Sequence, residues 1–575
     1  MKFVRICVLG VLCVSALKTF ALDREAFAFT NYDLNVRVEP DQKRLAVRGR
    51  VTLRNDSQVS QKIAVLQISS SLDWRSVRAG DAAVQYVSQP YTSDIDHTGA
   101  LSEAIVTLPQ AVAPQQTINL DLAYEGVVPL DSTRLIRIGT PESVANSTDW
   151  DQIGEKFTAL RGIGYVAWYP IATEAANLSE DSLFEVSGRW KRREAGSVMH
   201  IRTSLTGDSD VHPVTLLNGV RCLNTTSEAM GRAGYFVSDC KEQRLRWDAP
   251  TLIIANYSVL ERSSIEVLFL SGHDSAAAAF ADAAEGARPL IAEWFGPIRE
   301  KAKAADLPVR DAAPFESGAV LLTPMAGPDT KSAGLAIAHQ LTHSTFLSSR
   351  PWIEEGLAHF AQVLYLEQQK GRAAALDYMG MHRFVFGGAE QSTILPRSDD
   401  EANRSLVNTT NEDLYRSKAM CVWWMLRDML GDPALKKALA AYKPEQDKEP
   451  SYMPKLIQAQ SQRDLEWFFD DWVYRDLGLP DFKVESAFAR KTMTDVYILT
   501  ITVDNLGAAG AEVPVVVKYA GGVVSKRLEI RGKSKAVTRV EVTGLPQEVV
   551  VNDGSVPESD VTNNSFKIEV GANSN

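Results

Sequence analysis

The chain has 575 residues, of which 45% are hydrophobic and 23% charged, and its formal net charge is −11. This length exceeds what one ordinary core holds, so we expect about three or four domains. The acidic balance argues against nucleic acid and anionic membranes as partners, since neither attracts an acidic protein without a basic patch. We interpret the short basic run RWKRRE, residues 189–194, as the solvated end of a strand or a turn.

Residues 1–21 have the features of a secretory signal peptide. Lys2 and Arg5 supply a charged start, residues 6–17 form a short apolar stretch, and TFA before Leu22 is a plausible cleavage site. The apolar stretch is shorter than the ~20 residues that cross a bilayer. We therefore predict an exported protein, periplasmic or extracellular, without a transmembrane segment.

Export changes the interpretation of the cysteines. Cys222 and Cys240 bound about one hairpin's length of chain and are candidates for a disulfide in an oxidising compartment. Cys421 lies in the apolar helical run MCVWWMLRDML, which favours a buried thiol over a nucleophile.

After the signal, residues 22–262 have the sequence pattern of β-strands. Stretches such as YDLNVRVEP, LAVRGRVTLRND and INLDLAYEG alternate polar and apolar residues between turn signals, and SLFEVSGRW and SVMHIRTSL continue this pattern. The alternation is typical of an antiparallel sheet with one wet face. We predict an N-terminal antiparallel β-sandwich.

Residues 263–480 are predominantly helical in pattern. DSAAAAFADAAEGARPLIAEWFG has helical spacing, GAVLLTPM resembles a buried strand, and a series of amphipathic segments follows, one of them begun by Pro351. Strands return over residues 481–575, where VYILTITVDN and EVPVVVKYAGG have immunoglobulin-like length and spacing, so we predict a C-terminal immunoglobulin-like β-sandwich. The predicted fold class is multidomain α+β.

The stretch AIAHQLTH places two histidines four residues apart. His339 and His343 would share one helix face, and two imidazoles at that spacing can coordinate one zinc ion. The helix begun by Pro351 would fold the carboxylate of Glu355 back toward them and leave a fourth position for water. A histidine pair alone is a weak signal, because core or surface histidines also occur at this spacing. The pair followed by PWIEEGLAHF is a stronger one.

HQLTH followed by PWIEEGLAHF resembles the gluzincin metallopeptidases, specifically the membrane alanyl aminopeptidase family. Their pattern is H-E-x-x-H and then W-x-x-E-G-x-A on the next helix. The resemblance covers most of the chain and implies a thermolysin-like domain between the two β-domains. It also implies one zinc per chain on His339, His343 and Glu355. Glu354 is the alternative third ligand, and His359 is either a substitute ligand or a packed helix histidine.

The departures from this family bear on catalysis. Gln340 occupies the general-base position, where glutamine cannot accept a proton from water. General-base catalysis contributes typically about 10²–10⁴-fold, so activity would be weak or lost unless another carboxylate such as Glu354 serves. LYRSKAM offers Tyr415 as an oxyanion stabiliser, with Lys418 one residue out of step with the family's Y-x-K-G. The alternative for Tyr415 is an ordinary aromatic at a helix start.

Two further departures concern substrate binding and spacing. FESGAVLLTPM keeps the glycine of the family's G-x-M-E-N but lacks the M-E-N, and Glu316 lies on the wrong side of that glycine. Recognition of a free amino terminus is therefore unsupported. The segment between His343 and Glu355 is shorter than in the aminopeptidases, which weakens the subfamily assignment more than the zinc assignment.

These features predict an exported zinc-dependent peptidase of the alanyl-aminopeptidase-like type that hydrolyses peptide bonds by zinc-activated water. Gln340 leaves its activity weak or lost. The alternative is a non-catalytic protein on the same scaffold that binds peptides or proteins. The chain has neither a phosphate-binding G-x-x-x-x-G-K-[ST] loop nor a G-x-S-x-G nucleophile elbow.

Overall fold

The computed structural model describes residues 22–180, 182–206, 213–225, 235–318, 320–326, 330–394, 405–492 and 496–568. The predicted signal peptide, residues 1–21, lies outside these ranges. Within them, no helix is both long and apolar enough to cross a bilayer.

The N-terminal part of the chain is built mainly of strands. Its elements in order are β1 (Phe27–Glu39), β2 (Arg44–Asn55), β3 (Gln61–Ser69), β4 (Leu72–Ala79), β5 (Ala82–Ala83), β6 (Gln85–Thr92), β7 (Ala100–Val112), β8 (Thr117–Val127), α1 (Thr133–Arg137), α2 (Glu142–Thr148), β9 (Phe157–Leu160), α3 (Leu183–Glu194), β10 (Val198–Thr206), β11 (Val214–Leu217), β12 (Val220–Arg221), β13 (Leu223–Thr225), β14 (Tyr235–Arg244), β15 (Leu252–Ala255) and β16 (Ser258–Glu261).

This part contains an eight-stranded sheet, β13-β14-β10-β1-β2-β8-β4-β5, and a three-stranded sheet, β3-β7-β6, which share one core. A separate four-stranded sheet has the order β12-β11-β15-β9. Strand β1 shows how the large sheet turns one face to the shared core: Leu34, Val36 and Val38 are buried while the residues between them are exposed. The large sheet is not antiparallel throughout, because β1 and β10 pair in parallel. The long connection after β8 brings the chain back in the direction of β1, which alternation along single strands does not reveal.

The interpretation of residues 183–194 as a strand ending in a basic turn is wrong. They form helix α3, with Val186 and Trp190 buried one turn apart on its inner face. The apolar spacing in SLFEVSGRW fits a helical period as well as a strand period, and the sheet takes its strands elsewhere. The basic residues are also paired: Lys191 Nζ lies 2.7 Å from a carboxylate oxygen of Glu412.

The central part of the chain combines a mixed sheet with helices. Its elements are β17 (Ile265–Phe269), α4 (Asp274–Phe295), β18 (Ala302–Asp306), β19 (Phe315–Ser317), β20 (Val320–Thr323), α5 (Thr330–His343), α6 (Pro351–Lys370), α7 (Arg372–Ile394), a π-helical turn (Leu414–Lys418), α8 (Ala419–Leu430), α9 (Asp432–Ala441), α10 (Tyr452–Gln458), α11 (Glu466–Phe469) and a second π-helical turn (Asp470–Tyr474). The sheet order is β16-β17-β18-β20-β19, so β19 lies at one edge. Helix α5 contacts α4 and α6, and α6 also contacts α7 and α8.

The turn between α5 and α6 is held by a buried polar cluster. Arg350 Nε lies 2.8 Å from both carboxylate oxygens of Asp447, and the Tyr442 hydroxyl donates to the same carboxylate at 2.7 Å. The Ser348 hydroxyl lies 2.8 Å from that of Tyr442. Hydrogen bonds to an ionised group are the stronger kind, and these fix where α6 begins, at Pro351.

Helix α6 lies directly against the start of α8. A Cβ added to Gly356 would lie 2.7 Å from the Cβ of Ala419 and 3.0 Å from Nε1 of Trp423. The rings of Trp352 and Trp423 stack with centroids 5.3 Å apart, and Trp423 Nε1 donates to the carbonyl of Trp352 at 3.2 Å. Only a residue without a side chain permits this approach.

The C-terminal part of the chain is again a pair of sheets. Its strands are β21 (Phe482–Lys491), β22 (Tyr497–Asn505), β23 (Ala511–Tyr519), β24 (Gly522–Ile530), β25 (Ser534–Val542), β26 (Pro546–Val551) and β27 (Ser565–Lys567). The two sheets, β21-β22-β25 and β24-β23-β26-β27, have antiparallel pairings and face each other across buried valines. Elsewhere, the structure joins Cys222 to Cys240 by a disulfide and buries Cys421 as a free thiol.

We predict that Gly356→Ala lowers the free energy of unfolding by about 1–3 kcal/mol, because the new methyl group forces α6 away from α8. The measurement is denaturant-induced unfolding. The matched control is Gly286→Ala in α4, where an added Cβ meets nothing within 4 Å. That change should instead stabilise the protein by about 0.5–1 kcal/mol. Equal effects of the two substitutions would contradict the close packing of the helices.

Thiol titration tests the disulfide. The chain has five cysteines, of which Cys7 and Cys13 belong to the predicted signal peptide, so the mature protein would have three. Denatured mature protein without reductant should expose about one thiol, that of Cys421, and all three after reduction. Three thiols before reduction would show that the disulfide is absent.

Candidate metal centre

Four side chains from three elements converge on one point. Helix α5 supplies His339 and His343, α6 supplies Glu355, and the edge strand β19 supplies Glu316. One ligand atom of each lies within 4.8 Å of the others. The helical period brings the two histidines together, and the anchored turn before α6 carries the glutamate back to them.

The distances within this cluster suit a tetrahedral ion. His339 Nε2 lies 3.0 Å from His343 Nε2, 3.7 Å from Glu355 Oε2 and 2.9 Å from Glu316 Oε2, and His343 Nε2 lies 3.6 Å from Glu355 Oε1. Four donors around a zinc ion with bonds of about 2.0–2.2 Å are separated by about 3.3–3.6 Å. Small shifts of the side chains would therefore complete the coordination.

The polar atoms of the cluster also fit a metal. Glu355 Oε2 is buried and finds no hydrogen-bond donor in the part of the chain that the structure describes. Arg416 Nε lies 3.1 Å from this oxygen but forms no aligned hydrogen bond with it. Buried carboxylate oxygens are normally satisfied, and a bound cation would satisfy this one.

The local electrostatics keep two candidate ligands in the forms that bind metal. Burial acts to raise the pKa of Glu355, but Arg416 and the histidines outweigh it and lower that pKa to about 2. Burial lowers the pKa of His343 to about 4. Near neutral pH, Glu355 is therefore a carboxylate and His343 a neutral imidazole, as metal binding requires. Burial opposes charge on His339 too, but the adjacent carboxylate of Glu316 raises the pKa of that imidazole.

Gln340 follows His339 directly on α5 and lines the cavity into which the cluster opens. Its side chain is 2% exposed, and its Oε1 has no hydrogen-bond partner among the described residues. The amide can donate a hydrogen bond into the cavity but offers no group that accepts a proton at neutral pH.

Glu354 does not join the cluster. Its carboxylate oxygens lie 2.6 and 2.7 Å from Arg246, and one lies 3.8 Å from Nδ1 of His343, the ring nitrogen that faces away from the cluster. At this distance Glu354 forms no hydrogen bond with His343, and its carboxylate is held by Arg246 instead. The ring of His359 packs edge-on against His339 with centroids 4.8 Å apart, so this residue has the position of a packed histidine.

Tyr415 and its neighbours lie on the π-helical turn before α8. The Tyr415 hydroxyl is hydrogen-bonded to Glu412, and its ring packs against Trp247. Arg416 is the residue of this turn that approaches Glu355. Lys418 is buried in an ion pair with Asp476 and so has a structural role. The oxyanion role of Tyr415 stays a prediction.

Sequence reasoning missed Glu316 and Arg416 as members of the site. Glu316 precedes Gly318 and so lies on the wrong side of the glycine for the family pattern, although a charged residue next to a buried strand is itself a signal. The one-residue offset of LYRSK from the family pattern was the signal for Arg416. The π-helical turn places an additional residue in this segment, as such turns often do at functional sites.

The cluster opens into a cavity of about 950 Å³. The cavity lies between the N-terminal part of the chain, which contributes Tyr165 and Trp247, and the central part, which contributes Phe315 and Leu347. This volume lies at the upper end of the range of ligand sites, and the mixed aromatic and charged lining suits a peptide-sized molecule.

Comparisons with known proteins give a likeness of fold only. No protein-family model and no curated protein matches the chain. Among solved structures, an M1 zinc metallopeptidase from Deinococcus radiodurans, as a Glu-to-Ala variant with a Tyr-Ser-Ala substrate, is 17% identical, with 79% of this chain and 96% of that chain covered and a TM-score of 0.46. A two-domain M1 zinc metallopeptidase variant bound to L-arginine is 16% identical, with 76% and 91% covered and a TM-score of 0.46. At these values nothing about the activity of this chain follows from them.

We expect the purified protein to retain about one zinc ion per chain after dialysis and His339→Ala to lose it, because His339 contacts every other member of the cluster. Elemental mass spectrometry measures the zinc content. The control is His200→Ala, which removes a histidine on β10 that pairs with Asp33 and Asp239 instead. Zinc retained equally by both variants would place the metal elsewhere.

Proposed function

We propose that this chain is an exported zinc-dependent hydrolase of peptide bonds whose catalytic rate is limited by Gln340. The observation that carries this proposal is the convergence of His339, His343 and Glu355 at the wall of a peptide-sized cavity. The signal-like residues 1–21 and the disulfide support export.

The residues of the candidate metal site would have separate roles in hydrolysis. His339, His343 and Glu355 would hold the zinc. A zinc ion bound there would supply an activated water and a Lewis acid for the peptide carbonyl. Gln340 would hydrogen-bond this water without removing its proton. The missing proton transfer corresponds to about 3–5 kcal/mol of activation free energy, or about 10²–10⁴ in rate.

A second candidate function is supported by separate observations. The Arg416 guanidinium lies beside Glu355, and the Tyr415 hydroxyl is occupied by Glu412. The second contact occupies a hydroxyl that catalysis would need free, and the first places a positive charge beside a proposed zinc ligand. A non-catalytic protein that binds peptides or protein segments in the cavity is consistent with them.

The substitution Gln340→Glu separates the two functions. Under the first, kcat/KM on a panel of peptides should rise about 10²–10⁴-fold, because a carboxylate can accept the proton. Gln243→Glu is the matched control, since it adds the same charge to another glutamine that lines the cavity. Adding His339→Ala to Gln340→Glu should abolish the gain.

If Gln340→Glu keeps its zinc and still shows no gain on any peptide, the proposal that the site lacks only its base is wrong. Binding of the same peptides without turnover, measured by calorimetry, would then favour the second function.

A further inference from the structure

Glu316 stands apart from the other members of the cluster because it comes from a strand and not from α5 or α6. Its Oε2 lies 2.9 Å from His339 Nε2, a shorter distance than any from Glu355. We propose that Glu316 is a fourth protein ligand of the metal and closes the coordination position that a hydrolytic zinc site leaves open. This inference rests on the zinc binding proposed above.

The nitrogen that Glu316 contacts distinguishes a ligand from an orienting partner. Glu354 lies 3.8 Å from Nδ1 of His343, on the outer side of the ring, where orienting carboxylates are found. Glu316 instead approaches His339 at Nε2, the nitrogen that faces His343 and Glu355. A carboxylate on that side occupies the space of the metal itself, so it either binds the ion or must leave when the ion enters.

The fold holds Glu316 in this place. Strand β19 pairs antiparallel with β20, with Glu316 opposite Leu321. Phe315 packs edge-on against Tyr165 with ring centroids 5.3 Å apart. Gly318 follows at φ +54°, and a Cβ there would lie 2.8 Å from the carbonyl oxygen of Asn218, so only glycine suits this turn. The carboxylate therefore needs little reorganisation to bind a metal.

Charge balance favours a second carboxylate. Arg416 lies beside Glu355 and offsets its negative charge. With Glu355 alone, a divalent cation would enter a site whose net charge is close to zero. The Glu316 carboxylate restores an attractive field for the cation, and in the low-dielectric interior such a charge counts for more than at the surface.

A closed set of two histidines and two carboxylates has a consequence for function. Zinc sites with four protein ligands are structural, whereas catalytic sites keep a position for water. Hydrolysis would proceed only from the fraction of molecules in which Glu316 has left the ion. Glu316 thus retains the metal and restrains its reactivity.

The test compares Glu316→Gln with Glu300→Gln, which removes an exposed carboxylate from the lining of the same cavity. Zinc affinity is measured by competition with a chromophoric chelator. We expect Glu316→Gln to weaken binding by more than the about 10–100-fold that loss of a partner behind the ligands costs, and Glu300→Gln to leave it unchanged. The metal-free forms should melt at the wild-type temperature, which excludes misfolding.

Cobalt substitution tests the closed site in the wild type itself. The visible spectrum of the Co²⁺ protein should be that of a tetrahedral ion and should not change with thiocyanate, since no position is open. Co²⁺-loaded Glu316→Gln should respond to the anion.

Two outcomes would overturn the proposal in distinguishable ways. Thiocyanate binding to the wild-type cobalt protein, or unchanged zinc affinity in Glu316→Gln, would remove Glu316 from the ligands and leave the proposed zinc hydrolase standing. A wild-type protein that binds neither zinc nor cobalt would overturn both proposals together.

Discussion

The close approach of α6 to α5 and α8 is the constraint on which the metal cluster depends. Gly356 lets α6 touch Ala419 and Trp423, and a Cβ at Gly334 of α5 would lie 2.5 Å from the hydroxyl of Tyr365 on α6. Glu355 precedes Gly356 directly, so its distance from the two histidines is set by this packing. Interiors are close-packed, and a shift of α6 by a methyl group would move a ligand by a large fraction of a metal–ligand bond.

The same packing brings buried charges close together, and neighbouring basic side chains offset them. Two carboxylates and two imidazoles approach one another in a poorly solvated place, where an unpaired charge is costly. Arg416 lies beside Glu355 and Arg246 beside Glu354, and the Glu316 carboxylate raises the pKa of the adjacent His339 imidazole. A divalent cation would be attracted by the same carboxylates. The metal-free cluster is therefore held in a geometry close to the one that an ion would need.

The parts of the site that sequence predicted are those encoded by local spacing. His339, His343 and Glu355 follow from a helical period and a short turn, and helix starts such as Pro351 are local signals as well. The missed parts depend on contacts between distant segments. Glu316 reaches the cluster because β19 pairs at the sheet edge, and helix α3 differs from a strand only through what its apolar face meets. No single stretch of sequence contains either contact, and the parallel pairing of β1 with β10 is hidden for the same reason.

Gln340 and Glu316 act on the two requirements of hydrolysis at a metal. Deprotonating a bound water needs a base beside it and an open position on the ion. Under our proposals the chain has an amide where the base would be and a carboxylate where the water would be. Both would lower turnover, yet only Glu316 would also strengthen metal retention. Loss of catalysis alone would not require a carboxylate at Glu316. In a protein whose cleft is held together by the ion, a fourth ligand would stabilise the cleft. How readily Glu316 leaves the ion therefore decides between hydrolase and binding protein. Its strand is fixed, but its side chain is 25% exposed to the cavity and has room to move there.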